Sequence, residues 1–278
     1  HLWNILPGGR PGSPMGSRIG LWLTVLSLAA ILFLTLSIGI LNVRNGWRAK
    51  QRKRWTDRWI RQLMDPEAQG PIQRLRASQL QEFQALWNHI HDSVRGNMRT
   101  SLVSASRGSG SIALSLERLR RGSMAQKIMS AAFLGNHGAS EAVELLAPMA
   151  FDTDPFLSLT AARSLIQIDP IVQLPILMPQ LLRRETWPLP LVYDIVAATD
   201  ADLRSAHLQG SLMAWQPEPT PRALRFLPLM NEEARASIID ALANRSPPVQ
   251  HETLAALLRE VRSPHQLPLV RSGLESSH

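Results

Sequence analysis

Cysteine is absent from the 278 residues. That excludes a disulfide framework, a thiolate metal site and a cysteine nucleophile, and it fits a reducing compartment. Charge is absent from Ile19 to Val43, a run of 25 residues without Asp, Glu, Lys, Arg or His. Acid is nearly absent from the first 61 positions, where Asp57 stands alone against ten Lys and Arg. Catalytic signatures are absent too: no His-Glu-x-x-His, Gly-x-Ser-x-Gly or Gly-x-Gly-x-x-Gly occurs. From Ser123 onward no sustained alternation with period two is found, which argues against strands.

What is present begins with the uncharged run itself, IGLWLTVLSLAAILFLTLSIGILNV. As a helix it reaches ~37 Å at about 1.5 Å per residue, against a hydrocarbon core of about 30 Å. It is predicted to span a membrane with some tilt. It exceeds a signal-peptide apolar core of roughly 7 to 15 residues, and no A-x-A-like cleavage site follows, so it reads as an uncleaved anchor. Only Arg10 and Arg18 precede it, whereas Arg44, Arg48, Lys50, Arg52, Lys53, Arg54, Arg58 and Arg61 follow. The positive-inside bias places the N-terminus outside and the remainder in the cytoplasm, in a single-pass inner-membrane topology.

The position of the charge also decides about nucleic acid. The whole chain carries +8. Residues 1–61 hold ten basic and one acidic residue, and residues 62–278 hold 20 basic and 21 acidic. All of the excess therefore sits beside the anchor. A nucleic-acid binder needs its basic stripe on the folded domain, so no nucleic acid is expected as a partner. Anionic lipid headgroups are, at about 1 kcal/mol per basic residue near the surface.

Five segments follow from composition. Residues 1–18, rich in Gly, Pro and Ser, read as a short outer tail, in which Leu2, Trp3, Ile5 and Leu6 form either an apolar plug or part of an irregular segment. Residues 19–43 are the span. Residues 44–64 continue as a basic helix. Trp47, Trp55 and Trp59 share one of its faces, and Arg48, Arg52 and Arg58 reach outward. That is the pattern of an interfacial helix or of a docking site for a membrane partner; these six residues are the candidate contacts. Residues 65–121 are a helical connector. Its helix, from Ser78, buries Leu80, Phe83, Leu86, Trp87, Ile90 and Val94 at three-and-four spacing. His89 and His91, two apart, point to different sides and do not suit a shared metal. TSLVSASRGSGS, residues 100–111, lacks the spacing of a phosphate loop and is predicted to be a flexible Gly/Ser loop.

Residues 122–278 change character. Short apolar helices are predicted over 123–134, 140–150, 155–167, 172–184, 188–198, 202–215, 221–230, 232–244 and 249–261, with a tail from Leu267. Asp152, Asp154 and Asn231 are candidate caps, and Asp200 or Asp202 caps the helix that follows them. Pro175 and Pro179 are expected to kink their helix or shift its start. Ten such helices with brief connections suggest stacked pairs.

The stretch from Asp152 to Leu165, DTDPFLSLTAARSL, resembles the second half of a HEAT repeat, with Asp-Pro at the turn and paired alanines, Ala161 and Ala162, before a Leu. KIMSAAFLG, ending at Leu134-Gly135, and RASIIDAL, ending at Leu242, match in part, with Lys127 and Arg235 at the usual basic position. Ser158 departs from the pattern there. The repeat around LPLVYDIVAATD is degenerate. The resemblance covers about 123–262, and it implies that Leu134, Ala161, Ala162, Leu165, Arg235 and Leu242 are structural. The fold class expected is therefore all-α: a single N-terminal transmembrane helix followed by a HEAT-like α-solenoid of stacked helix pairs.

The layout resembles bacterial membrane-anchored HEAT-repeat proteins that accompany polysaccharide-synthesising glycosyltransferases. This implies a non-catalytic scaffold or accessory subunit, an integral membrane partner of that class, and a place in exopolysaccharide biosynthesis. No catalytic residue, cofactor or metal site is assigned. The alternative is a HEAT-like module that binds a small ligand or nucleic acid, or an enzyme, and is merely membrane-localised.

Overall fold

The computed structural model describes residues 53–64, 72–214 and 220–243. The predicted span, its outer tail, Trp47, Arg48, Arg52 and the expected helix over 249–261 with its tail lie outside the described residues. The chain divides into two compact units, residues 1–60 and 61–278.

The described residues are helical, with no strand among them. Helix α1 covers 53–64. It is followed by α2 (Leu80–Ser93), α3 (Asn97–Ser106), α4 (Ser111–Arg121), α5 (Met124–His137) and α6 (Val143–Met149). Then come α7 (Pro155–Ile168), α8 (Pro170–Arg183), α9 (Leu189–Ala197), α10 (Ala201–Met213), α11 (Pro221–Leu224) and α12 (Glu232–Ala243). None of them is long and apolar enough to cross a membrane.

Short polar side chains set the helix starts. Asp154 accepts from the backbone N–H of Phe156 and Leu157 at 3.0 and 2.8 Å, with Pro155 at the first helical position. Asp152 accepts in turn from the N–H of Asp154 at 2.8 Å. Asp169-Pro170 repeats the device one helix later. Asp200 caps α10, and Asn231 accepts from Ala234 N–H at 2.9 Å. At α5, Gln126 reaches back to the N–H of Ser123, and Gly138 closes the helix at φ +67°.

One helix start is earlier than expected, and one expected loop is corrected. Helix α8 starts at Pro170 and continues through both Pro175 and Pro179. Pro175 and Pro179 are exposed, as is Ile171, so the carbonyls they leave without an i+4 donor lie on the solvent side. The stretch 100–111 is not a loop. It is helical to Ser106, turns through a 3₁₀ segment at Arg107–Ser109, and re-enters a helix at Ser111. Its polarity misleads because Ser106, Ser109 and Ser111 are buried, although Ser101 and Ser104 are exposed: Ser106 Oγ donates to Val103 O at 3.0 Å and Ser109 Oγ to Ser106 O at 2.6 Å. Gly110, at φ +73°, makes the turn between the two helices.

Packing runs from neighbour to neighbour. Helix α5 lies against α2, α4 and α7; α7 against α6 and α8; α8 against α10; and α10 against α12. Leu134, Ala161, Ala162, Leu165 and Leu242 are all buried, and Arg235 is half-buried. Between α5 and α7, Ser164 Oγ donates to Ala131 O at 2.8 Å across the interface. Ser158, at the position that the resemblance expects to be basic, accepts from the indole N–H of Trp187 at 3.1 Å and donates to Asp154 O at 2.6 Å. Trp187 is fully buried, so its N–H needs an acceptor that a lysine could not supply. Arg204 ties the ends of two elements together, donating to Ala197 O, Thr199 O and Leu229 O at 2.7 to 3.0 Å.

Candidate functional site

The six candidate contacts divide between described and undescribed residues. Trp55, Arg58 and Trp59 sit on α1. The two indole rings lie 6.4 Å apart at 34°, Arg58 is exposed and Trp59 is buried. Trp47, Arg48 and Arg52 lie outside the described residues.

A groove of about 1020 Å³ crosses α2, α5, α7 and α9. The positions that line it recur with a step of 31 residues. Met129, Thr160 and Leu191 form one row; Ala132, Arg163 and Asp194 a second; Asn136, Gln167 and Ala198 a third. The step is the one that separates Leu134 from Leu165, and it carries on to Val196, which is also buried. The stretch LPLVYDIVAATD therefore follows the same step.

The three rows differ in chemistry. The first is largely apolar and, with Ile128, Leu159 and Ile195, floors the groove. The second places opposite charges on α7 and α9. Arg163 and Asp194 are both exposed, and among the described residues neither side chain makes a hydrogen bond or an ion pair. The third is a chain of carboxamides. Gln167 Nε2 donates to Asn136 Oδ1 at 3.1 Å, and Asn136 Nδ2 donates to Asn88 Oδ1 at 3.2 Å. The chain joins α7, α5 and α2 and stops at α9, where Ala198 has nothing to offer.

At the α2 end an aromatic and imidazole cluster closes the wall. The Trp87 ring stacks with His91 (5.2 Å, 15°) and with His137 (5.5 Å, 24°), and meets Phe133 edge-on at 4.9 Å. His137 Nε2 lies 2.9 Å from Ser106 Oγ. His91 Nδ1 is buried without a hydrogen-bond partner and lies 3.6 Å from Asp92 Oδ1. Burial holds both imidazoles below their ordinary value of 6.5, with Arg99 and Arg163 adding to the effect at His91 and Arg107 at His137. Both are therefore neutral at pH 7. At the far end Asp200 is held below the usual carboxylate range by the backbone N–H groups of Leu203 and Asp202, which it caps.

Nothing within a single helix marks these residues. Asn88, Asn136, Arg163, Gln167 and Asp194 are ordinary surface residue types. The signal that could find them is the 31-residue step between Leu134 and Leu165: extended by two positions it pairs Asn136 with Gln167.

What this arrangement can do is hold an elongated molecule that is apolar on one side and has donors, acceptors and both signs of charge on the other. Among the described residues, no group of three His, Cys, Asp or Glu is placed to hold a metal ion. The chain matches no family model, no curated protein and no solved structure.

Proposed function

We propose that the protein is a non-catalytic scaffold or accessory subunit. Residues 19–43 anchor it in the inner membrane, and the following helices form a HEAT-like solenoid of stacked pairs on the cytoplasmic side that holds a protein partner. The observation that carries this reading is the 31-residue recurrence along one groove wall, through three helices of the stack, α5, α7 and α9. Stacked repeats expose such rows on a continuous surface and use them to bind other proteins.

Charge supports the choice of partner. Residues 62–278 carry 20 basic and 21 acidic residues, which suits a protein surface better than a polyanion. The basic segment after the anchor suits anionic headgroups. An integral membrane protein is the natural partner for a scaffold tethered in this way, and a polysaccharide-synthesising glycosyltransferase is the class that the resemblance implies.

Topology and partnership are tested together. A photo-cross-linker is placed at position 55 of the full chain in sealed spheroplasts, and protease is added outside. A cytoplasmic scaffold predicts that the bulk of the chain survives and that illumination captures an integral membrane protein. Digestion of the bulk, or capture of lipid alone, would count against it.

A further inference from the structure

The geometry points to an extended polypeptide segment as the occupant of the groove, gripped by its main chain along Asn88, Asn136 and Gln167 and by one acidic and one basic side chain on Arg163 and Asp194. This deepens the scaffold reading and rests on it.

Hydrogen bonding selects a main chain. A carboxamide has two N–H donors and two acceptor lone pairs. Asn136 uses one donor on Asn88 and one acceptor on Gln167. One N–H and one lone pair remain on it, and Gln167 and Asn88 keep at least as much. Asn88 and Asn136 are half-buried and Gln167 is exposed, so these groups border the groove without being sealed off. A donor beside an acceptor, repeated helix by helix, complements a peptide main chain, which offers the same pair at each residue. Phosphates offer acceptors alone and hydrocarbon offers neither.

Charge selects the side chains. Arg163 and Asp194 occupy matching positions on α7 and α9 and stand unpaired among the described residues. Asp92, Asp194 and Asp200 outnumber Arg99 and Arg163 along the groove, which disfavours a polyanion. A peptide with one acidic and one basic side chain satisfies both groups. Successive side chains of an extended chain point to opposite faces, so two that meet the same wall are an even number of residues apart and advance about 6.6 Å for every two. The two peptide charges therefore fall at an even separation.

The test uses the full chain in mild detergent and labelled nonapeptides carrying one Glu and one Lys on a neutral Ser/Leu background. The separation of the two runs from one to six, in both orders, and binding is read by fluorescence anisotropy. Binding should favour even separations over odd ones, and one order over the other. Asn136→Ala should weaken every peptide about tenfold, whatever its charges. The exchange variant Arg163→Asp with Asp194→Arg, which alters exposed unpaired side chains and should leave the melting curve unchanged, should reverse the preferred order. Binding that ignores separation and order, or an exchange variant with the wild-type preference, overturns the proposal. So does failure of every peptide to bind. If peptides fail while a membrane partner still co-purifies, the groove assignment falls and the scaffold stands; if neither binds, both fall.

Discussion

Gly135 lies against Ser164 so closely that a methyl group on Gly135 would sit 2.5 Å from Ser164 Cβ and 2.6 Å from Ser164 Cα. Part of that obstacle is backbone, so a rotamer change at Ser164 gives no relief. The absence of a side chain at 135 is what lets α5 and α7 approach and lets Ser164 Oγ reach Ala131 O.

Gly135→Ala should therefore destabilise the fold by about 1–3 kcal/mol through overpacking, although alanine is the better helix former. Gly210, inside α10, is the control, because a methyl group there would meet nothing within 4 Å. Gly210→Ala should be neutral or slightly stabilising. Urea midpoints of the two variants give the comparison, and equal midpoints would contradict the tight α5–α7 contact.

Ser158 makes a different demand. Removing its hydroxyl leaves the buried Trp187 indole without an acceptor. Ser158→Ala should cost about 1–3 kcal/mol, the usual penalty for an orphaned buried donor. The pair Ser158→Ala with Trp187→Phe should show strong coupling, because the second change removes the donor that the first leaves stranded. Additive losses in that double-mutant cycle would mean that the hydrogen bond contributes nothing.

The cluster of Trp87, His91 and His137 makes stability depend on pH. Burial lowers both imidazoles, so the unfolded chain binds protons first as pH falls below about 6.5. Asp92 and Glu141 oppose the lowering, and Arg99, Arg163 and Arg107 reinforce it. Stability from these groups is complete above pH 6.5 and is lost as pH falls from there through the lowered folded values. The slope is at most about 1.4 kcal/mol per pH unit for each proton taken up. His91→Gln with His137→Gln should flatten the dependence from about pH 7 to about pH 5, measured by chemical unfolding across that range. An unchanged slope in the double variant would place the titration elsewhere.

The helix starts are legible in the sequence because they are written in short-range chemistry. Asp154-Pro155 and Asp200 announce their helices within three or four residues, and the structure places caps at both. The core positions Leu134, Ala161, Ala162, Leu165 and Leu242 are legible because the repeat pattern ties identity to burial. The serine-rich turn is not, since Ser106, Ser109 and Ser111 look solvated until tertiary packing covers them and the hydroxyls of Ser106 and Ser109 find carbonyls three residues back. That α8 runs through Pro175 and Pro179 is not legible, because the local rule penalises proline inside a helix wherever it faces, and only the fold shows that both are exposed. The groove is the least legible part. Its members come from helices separated by 31 and 48 residues, and single surface residues such as Arg163 and Asp194 acquire meaning only when the helices are set side by side.

If this chain holds an integral membrane protein with its groove as the grip, the most direct measurement is the particle released when the tagged full chain is purified from membranes in mild detergent. Light scattering gives its mass and peptide identification its composition. A scaffold of this kind predicts an integral membrane protein in fixed ratio to the chain, displaced when the Asn136→Ala and Arg163→Asp changes are combined. Recovery of this chain alone, with no stoichiometric membrane companion, would contradict it.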